Sequence, residues 1–138
     1  MNEHTSKRLR IIFTVLAVAG LLISIYLLTS RYAHVPLECP NNGIINCGTV
    51  LSSSYAYLFG IPLEIYGIAF FIIELALIAL PSLYRIKDLQ VIYNMIGIGF
   101  VAYFIYLESL IGKICIFCTG VHVIIAILFI LSLYRVMR

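Results

Sequence analysis

Four stretches of this chain, residues 11–29, 61–80, 91–111 and 114–134, are apolar over nearly the length a helix needs to cross a bilayer. That length is about 20 residues. Hydrocarbon offers no hydrogen-bond partners, so a backbone inside it must satisfy its own N–H and C=O groups, and a helix does this within one segment. The expected fold is therefore an all-α membrane protein. It is a four-transmembrane-helix bundle forming a single domain over residues 1–138, with one long loop between helices 1 and 2. Composition agrees, because a chain that is 63% hydrophobic and only 11% charged carries more apolar surface than 138 residues can hide in a core of their own. The formal charge of +3 comes from Lys and Arg near the ends of the apolar runs and not from one basic patch, which argues against nucleic acid as a partner. No internal repeat and no linker-like or low-complexity segment divides the chain. The first run follows Lys7, Arg8 and Arg10 and contains Ala17 and Ala19, as a signal peptide would. A cut there would fall inside an apolar run that continues to Leu28, so an uncleaved anchor is expected.

Orientation follows from the basic residues, which short loops retain on the cytoplasmic side. With the N-terminus inside, Lys7, Arg8, Arg10, Arg85, Lys87, Arg135 and Arg138 are cytoplasmic, and only Arg31 and Lys113 lie outside. The expected placement is a multi-pass protein of the plasma membrane with both termini in the cytoplasm. Residues 31–60 and the hairpin at Gly112 and Lys113 then face the extracytoplasmic side, and all four cysteines fall there. Disulfides persist in that compartment, whereas cytosolic thiols are kept reduced.

Cys115-Ile116-Phe117-Cys118 is a C-x-x-C at the start of an expected helix, where free N–H groups and the helix dipole favour a thiolate. At three residues' separation the two sulfurs share one helix face, with Cys118 nearly a turn deeper. Cys39 and Cys47 lie in a stretch rich in Pro, Asn, Gly and Ser that reads as a loop. A disulfide in such a loop could move to meet a partner, or could merely close the loop. A zinc site built from the four cysteines is a competing reading, but seven residues between Cys39 and Cys47 match close-spaced zinc pairs poorly. A static brace is another, although stapling one helix turn gains a bundle little. Two pairs on one side of the membrane favour a thiol–disulfide relay.

The run from Gly20 through Ser24 to Tyr26, then Cys39 and Cys47, then Val50, Ser53, Phe59, Gly60, Pro62 and Gly67, and finally Cys115 and Cys118, together resemble the vitamin K epoxide reductase family, in particular its short prokaryotic members that lack a fused thioredoxin-like domain. The resemblance implies a four-helix bundle holding a quinone near the C-x-x-C. It also implies roles: Cys118 contacts the quinone, Cys115 is its partner, Cys47 exchanges with Cys115, and Cys39 meets a thioredoxin-fold, DsbA-like redox protein. The pocket so implied takes in Val50, Leu51, Ser53, Phe59, Leu63, Tyr66 and His122. Vertebrate members present an asparagine and a tyrosine to the vitamin K ring where this chain has Leu63 and His122. The implied acceptor is therefore a simple membrane quinone, of the menaquinone or ubiquinone type, and the implied activity is thiol oxidation supporting disulfide formation outside the cytoplasm. DsbB-type oxidases also have four helices and two cysteine pairs, but place the pairs in the reverse order. Outside redox chemistry, the alternative is a non-catalytic membrane subunit or metal-binding module with structural cysteines.

His122 follows Cys118 by four residues and so shares its helix face. It could donate to a quinone carbonyl, or be a neutral core histidine bonded to backbone or to a serine. Glu74 and Glu108 would be costly if charged at depth, so each is expected to face the bundle or to be protonated. Glu74 reads as glue between helices, and Glu108 either as a residue snorkelling towards Lys113 or as a proton relay. Glu64, at the mouth of the second helix, is expected to be solvated. Tyr32, Tyr55, Tyr57, Tyr84, Tyr103, Tyr106 and Tyr134 read mostly as an interfacial belt.

Overall fold

The computed structural model describes residues 3–33, 57–79, 83–112 and 114–137. Among these, α1 spans Glu3–Ala33, a two-residue hairpin pairs β1 (Tyr57–Leu58) with β2 (Ile61–Pro62), and α2 (Leu63–Ala79), α3 (Leu83–Ile111) and α4 (Ile116–Met137) follow. Among the described residues, three segments are long and apolar enough to cross a membrane: Lys7–Tyr32, Asp88–Ile111 and Ile116–Met137. The second expected span is shorter than the sequence indicates. Ile61 and Pro62 belong to the hairpin, and the 17 residues of α2 rise only about 25 Å.

Helical periodicity is visible in burial and not in apolarity. Along α1 the buried positions are Leu9, Phe13, Ala17, Gly20, Ser24, Leu27 and Ser30, a stripe recurring every three or four residues. Between them Ile11, Val15 and Leu22 are each about 60% exposed, as are Ile130 on α4 and, slightly less, Met95 on α3. Water would penalise such a coat, whereas lipid solvates it. The buried set accordingly includes many polar side chains: Ser24, Ser30, Glu64, Glu74, Gln90, Asn94, His122 and Ser132.

The apolar core joins Leu9, Phe13 and Ala17 of α1 to Phe71 and Ile78 of α2, Val101 of α3, and Ile125 and Leu128 of α4. Small residues let α1 and α2 approach closely. A Cβ on Gly20 would collide with the Phe71 ring, and one on Gly67 would lie 2.9 Å from Ser24 Oγ. On the other side, α3 turns back into α4 at Gly112, whose φ of 79° only glycine adopts freely and whose N–H closes the last turn of α3 onto Glu108 O at 2.9 Å.

Polar clasps among the described residues hold the helices laterally, one towards each end of the bundle. Glu74 accepts from Gln90 Nε2 at 2.9 Å and from Asn94 Nδ2 at 3.3 Å, and Arg135 Nη1 donates to Gln90 Oε1 at 2.9 Å, so Glu74 links α2 to α3 as its sequence position suggested. At the other end Arg31 grips Glu64, with Nη2 to Oε1 at 2.7 Å and Nε to Oε2 at 3.2 Å. The expectation of a solvated Glu64 is therefore corrected: its residue is 6% exposed, because Arg31, 33 positions away, folds over it. Arg31 also donates to Tyr57 Oη at 3.0 Å, and Tyr66 Oη donates to Leu58 O at 2.9 Å. The hairpin is thus fastened to α1 and α2, with Phe59 (φ 55°) and Gly60 (φ 75°) forming its turn.

Candidate active site

The C-x-x-C sits where α4 begins, and its geometry is that of a helix cap. Cys115 precedes the first helical residue, and its carbonyl accepts the first intrahelical bond, from Thr119 N at 2.9 Å. Its Sγ accepts the N–H of Cys118 at 3.4 Å, the bond an N-cap side chain makes to the third helical residue. Sulfur thus occupies the place usually held by a serine or aspartate oxygen. The Cys118 thiol packs beside it. That neighbouring thiol, with help from the backbone N–H groups of Cys118 and Phe117, holds the Cys115 thiol below its ordinary range, against burial and the charge of Glu108. Both cysteines are free thiols, Cys115 fully buried and Cys118 half-buried. Ile111, Phe117 and Cys118 pack around Cys115, and Tyr26 of α1 meets Phe117 edge-on at 5.5 Å.

One turn deeper than Cys118, His122 is 7% exposed, with its ring 5.8 Å from that of Phe104. Among the described residues the imidazole has no hydrogen-bond partner, so neither the backbone nor the serine bond that a core histidine would need is made. A row of rings leads away from it along α3: Phe104 lies 6.0 Å from Phe100, and Phe100 stacks at 6.5 Å on Tyr66 of α2. Phe100 and Phe104 are absent from the pocket expected from sequence. Their spacing of four residues, which puts them on one face of α3, was the available signal.

A sequence model of the vitamin K epoxide reductase family matches residues 11–133, nearly the whole chain. The chain belongs to the vitamin K epoxide reductase family. Membership makes it a membrane oxidoreductase of the thiol–disulfide type, and the capped dithiol is the feature on which such chemistry can act.

Within this family member, the structure joins part of the expected site. Cys115 and Cys118 pack with Phe117 at the cap, while His122 and Tyr66 stand at the two ends of the ring row formed by Phe104 and Phe100, and His122 lies one turn beyond Cys118 on α4. Leu63 opens α2 one turn before Tyr66 and is half-buried. Phe59 stands apart, 91% exposed at the tip of the hairpin. Cys39, Cys47, Val50, Leu51 and Ser53 lie outside the described residues, as does Lys113. Among the described residues, no three His, Cys, Asp or Glu side chains converge as metal ligands.

Proposed function

We propose that this protein is a quinone-dependent thiol oxidoreductase. It takes electrons from a thioredoxin-fold partner through Cys39 and Cys47, passes them to Cys115 and Cys118, and delivers them to a membrane quinone of the menaquinone or ubiquinone type. The observation that carries the reading is the capped dithiol. A thiolate is the species that exchanges with disulfides, and Cys115 Sγ accepts the Cys118 N–H at a helix N-terminus with the Cys118 thiol packed beside it. The residues present suit a planar acceptor. The unpartnered imidazole of His122 offers a hydrogen bond to a carbonyl oxygen, and Phe104, Phe100 and Tyr66 offer flat apolar faces.

In this reading the long loop and the C-x-x-C face the extracytoplasmic side, supported by the distribution of Lys and Arg, and α2 completes a four-helix bundle in the membrane. Anaerobic mixing of the purified, reduced protein with menaquinone and ubiquinone analogues, followed by quinone absorbance, is the test. Stoichiometric loss of quinone absorbance with loss of two thiols is expected. Cys118→Ala abolishes it, whereas Cys39→Ala spares turnover with a small dithiol and blocks it with a protein donor. Thiols that stay reduced with every quinone, or equal loss with both donors in both variants, would refute the ordered relay.

A further inference from the structure

Oxidation of a dithiol releases two protons with its two electrons, and the helix cap favours loss of only one of them, at Cys115. The N–H of the cap is spent on Cys115 Sγ, so the Cys118 thiol needs another acceptor for its proton before its sulfur can react. A base within the bundle would serve, and one carboxylate is placed for it. Glu108 lies on the last turn of α3, three residues before Ile111, and Ile111 packs directly on Cys115. Positions three apart share a helix face, so Glu108 is on the side of α3 that covers the thiol pair, one turn further into the bundle. The turn at Gly112 fixes this register, because its N–H bonds back to Glu108 O and reverses the chain directly into the cap. The side chain is half-buried, and among the described residues nothing bonds to or pairs with its carboxylate. Its charge acts on both Cys115 and Cys118.

Among the described residues, the other carboxylate whose charge reaches Cys118 is Glu64, from α2. It is committed to Arg31 of α1 through two hydrogen bonds, so a proton there would have to displace an ion pair. His122, on α4 itself, lies a turn beyond Cys118 on the side away from the cap. Among the described residues, Glu108 is the acidic group near the dithiol with no such commitment.

We propose that Glu108 is the base that takes the Cys118 thiol proton during oxidation of the C-x-x-C pair. The S–H bonds of Cys115 and Cys118 break and the Cys115–Cys118 disulfide forms. The electron pair passes to the quinone, and two protons leave with it. One of these is the Cys118 proton, held in transit on a Glu108 oxygen and then released to the reduced acceptor or to water, so that Glu108 ends as it began. This inference rests on the dithiol oxidation proposed above.

The full chain in nanodiscs tests it through two readouts that the base role moves in opposite directions. The first is single-turnover oxidation of the reduced protein by a menaquinone analogue across pH. The second is alkylation of the C-x-x-C thiols by iodoacetamide, which needs a thiolate but no enzymatic base. Glu108→Gln is expected to slow oxidation about a hundredfold and to remove the acid limb of its pH profile, the low end of what a positioned base contributes. Because the variant also removes a negative charge beside the sulfurs, alkylation at pH 7 should become about twofold to tenfold faster, the span between water-like and protein-like screening at several ångströms. Glu108→Asp should retain the pH limb with a smaller rate. If both readouts speed up, Glu108 is only an electrostatic brake. If both slow and the thermal midpoint falls, it is structural, and if neither moves it is a bystander; each of these results overturns the proposal. Wild-type protein that reduces no quinone defeats the oxidoreductase reading by itself, while a diamide-driven oxidation that still depends on Glu108 would keep the base assignment.

Discussion

Replacing Arg31 with Met removes one half of a buried ion pair and leaves the other in place. Arg31 and Glu64 side chains are only 10% and 4% exposed and meet through two hydrogen bonds, so Glu64 cannot recover its hydration without opening the hairpin that Arg31 also ties through Tyr57. An orphaned buried charge costs about 3–5 kcal/mol. For a chain of this length each kcal/mol moves the thermal midpoint by about 3–4 °C, so Arg31→Met should lower it by about 10–20 °C in detergent. The double variant Arg31→Met, Glu64→Leu removes both charges and both desolvation costs, and should return to within about 1 kcal/mol of wild type. The assay is a double-mutant cycle read by thermal unfolding, with protease sensitivity near Tyr57 reporting whether the hairpin has detached. A loss below about 1 kcal/mol in the single variant would mean that the pair is hydrated. The hairpin would then be held by Tyr66 and strand pairing alone.

The remaining predictions concern the thiols, the ring pocket and the helix contact. Cys118→Ala removes the largest influence lowering the Cys115 thiol, so alkylation of Cys115 should require more alkaline conditions than in wild type; an unchanged pH profile would assign that influence to the backbone cap. His122→Phe should raise the Michaelis constant for quinone about threefold to tenfold, the worth of one neutral hydrogen bond, with dithiol exchange near wild type. An unchanged constant with a lowered thermal midpoint would return His122 to the core. Gly20→Ala forces a methyl group into the Phe71 ring and should cost about 1–3 kcal/mol by thermal unfolding. The further change Phe71→Leu should recover part of that loss, and full tolerance of the single change would show that α1 and α2 are not held that close.

How much was legible beforehand depends on the range of the interaction concerned. The helices of α1, α3 and α4 were readable because hydrocarbon forces a backbone to bond to itself and an unbroken apolar run is a local property. The thiol site was readable for the same reason, since a cysteine immediately before a helix meets N–H groups from the next three residues whatever the rest of the chain does. The residues that carry the family resemblance likewise stand in one dimension. Tertiary structure decided what distant residues do to each other. Glu64 looked solvated until Arg31, 33 positions earlier, was packed against it. Phe100 and Phe104 were two more apolar residues until α2 and α4 placed Tyr66 and His122 at either end of their row. Ile61 and Pro62 read as helix from hydropathy, but cross-strand bonds with Tyr57 and Leu58 drew them into a hairpin. In a chain apolar on every side, hydropathy cannot say which face of a helix turns inward. That choice falls to the few small and polar side chains, and they acquire partners only when the helices meet.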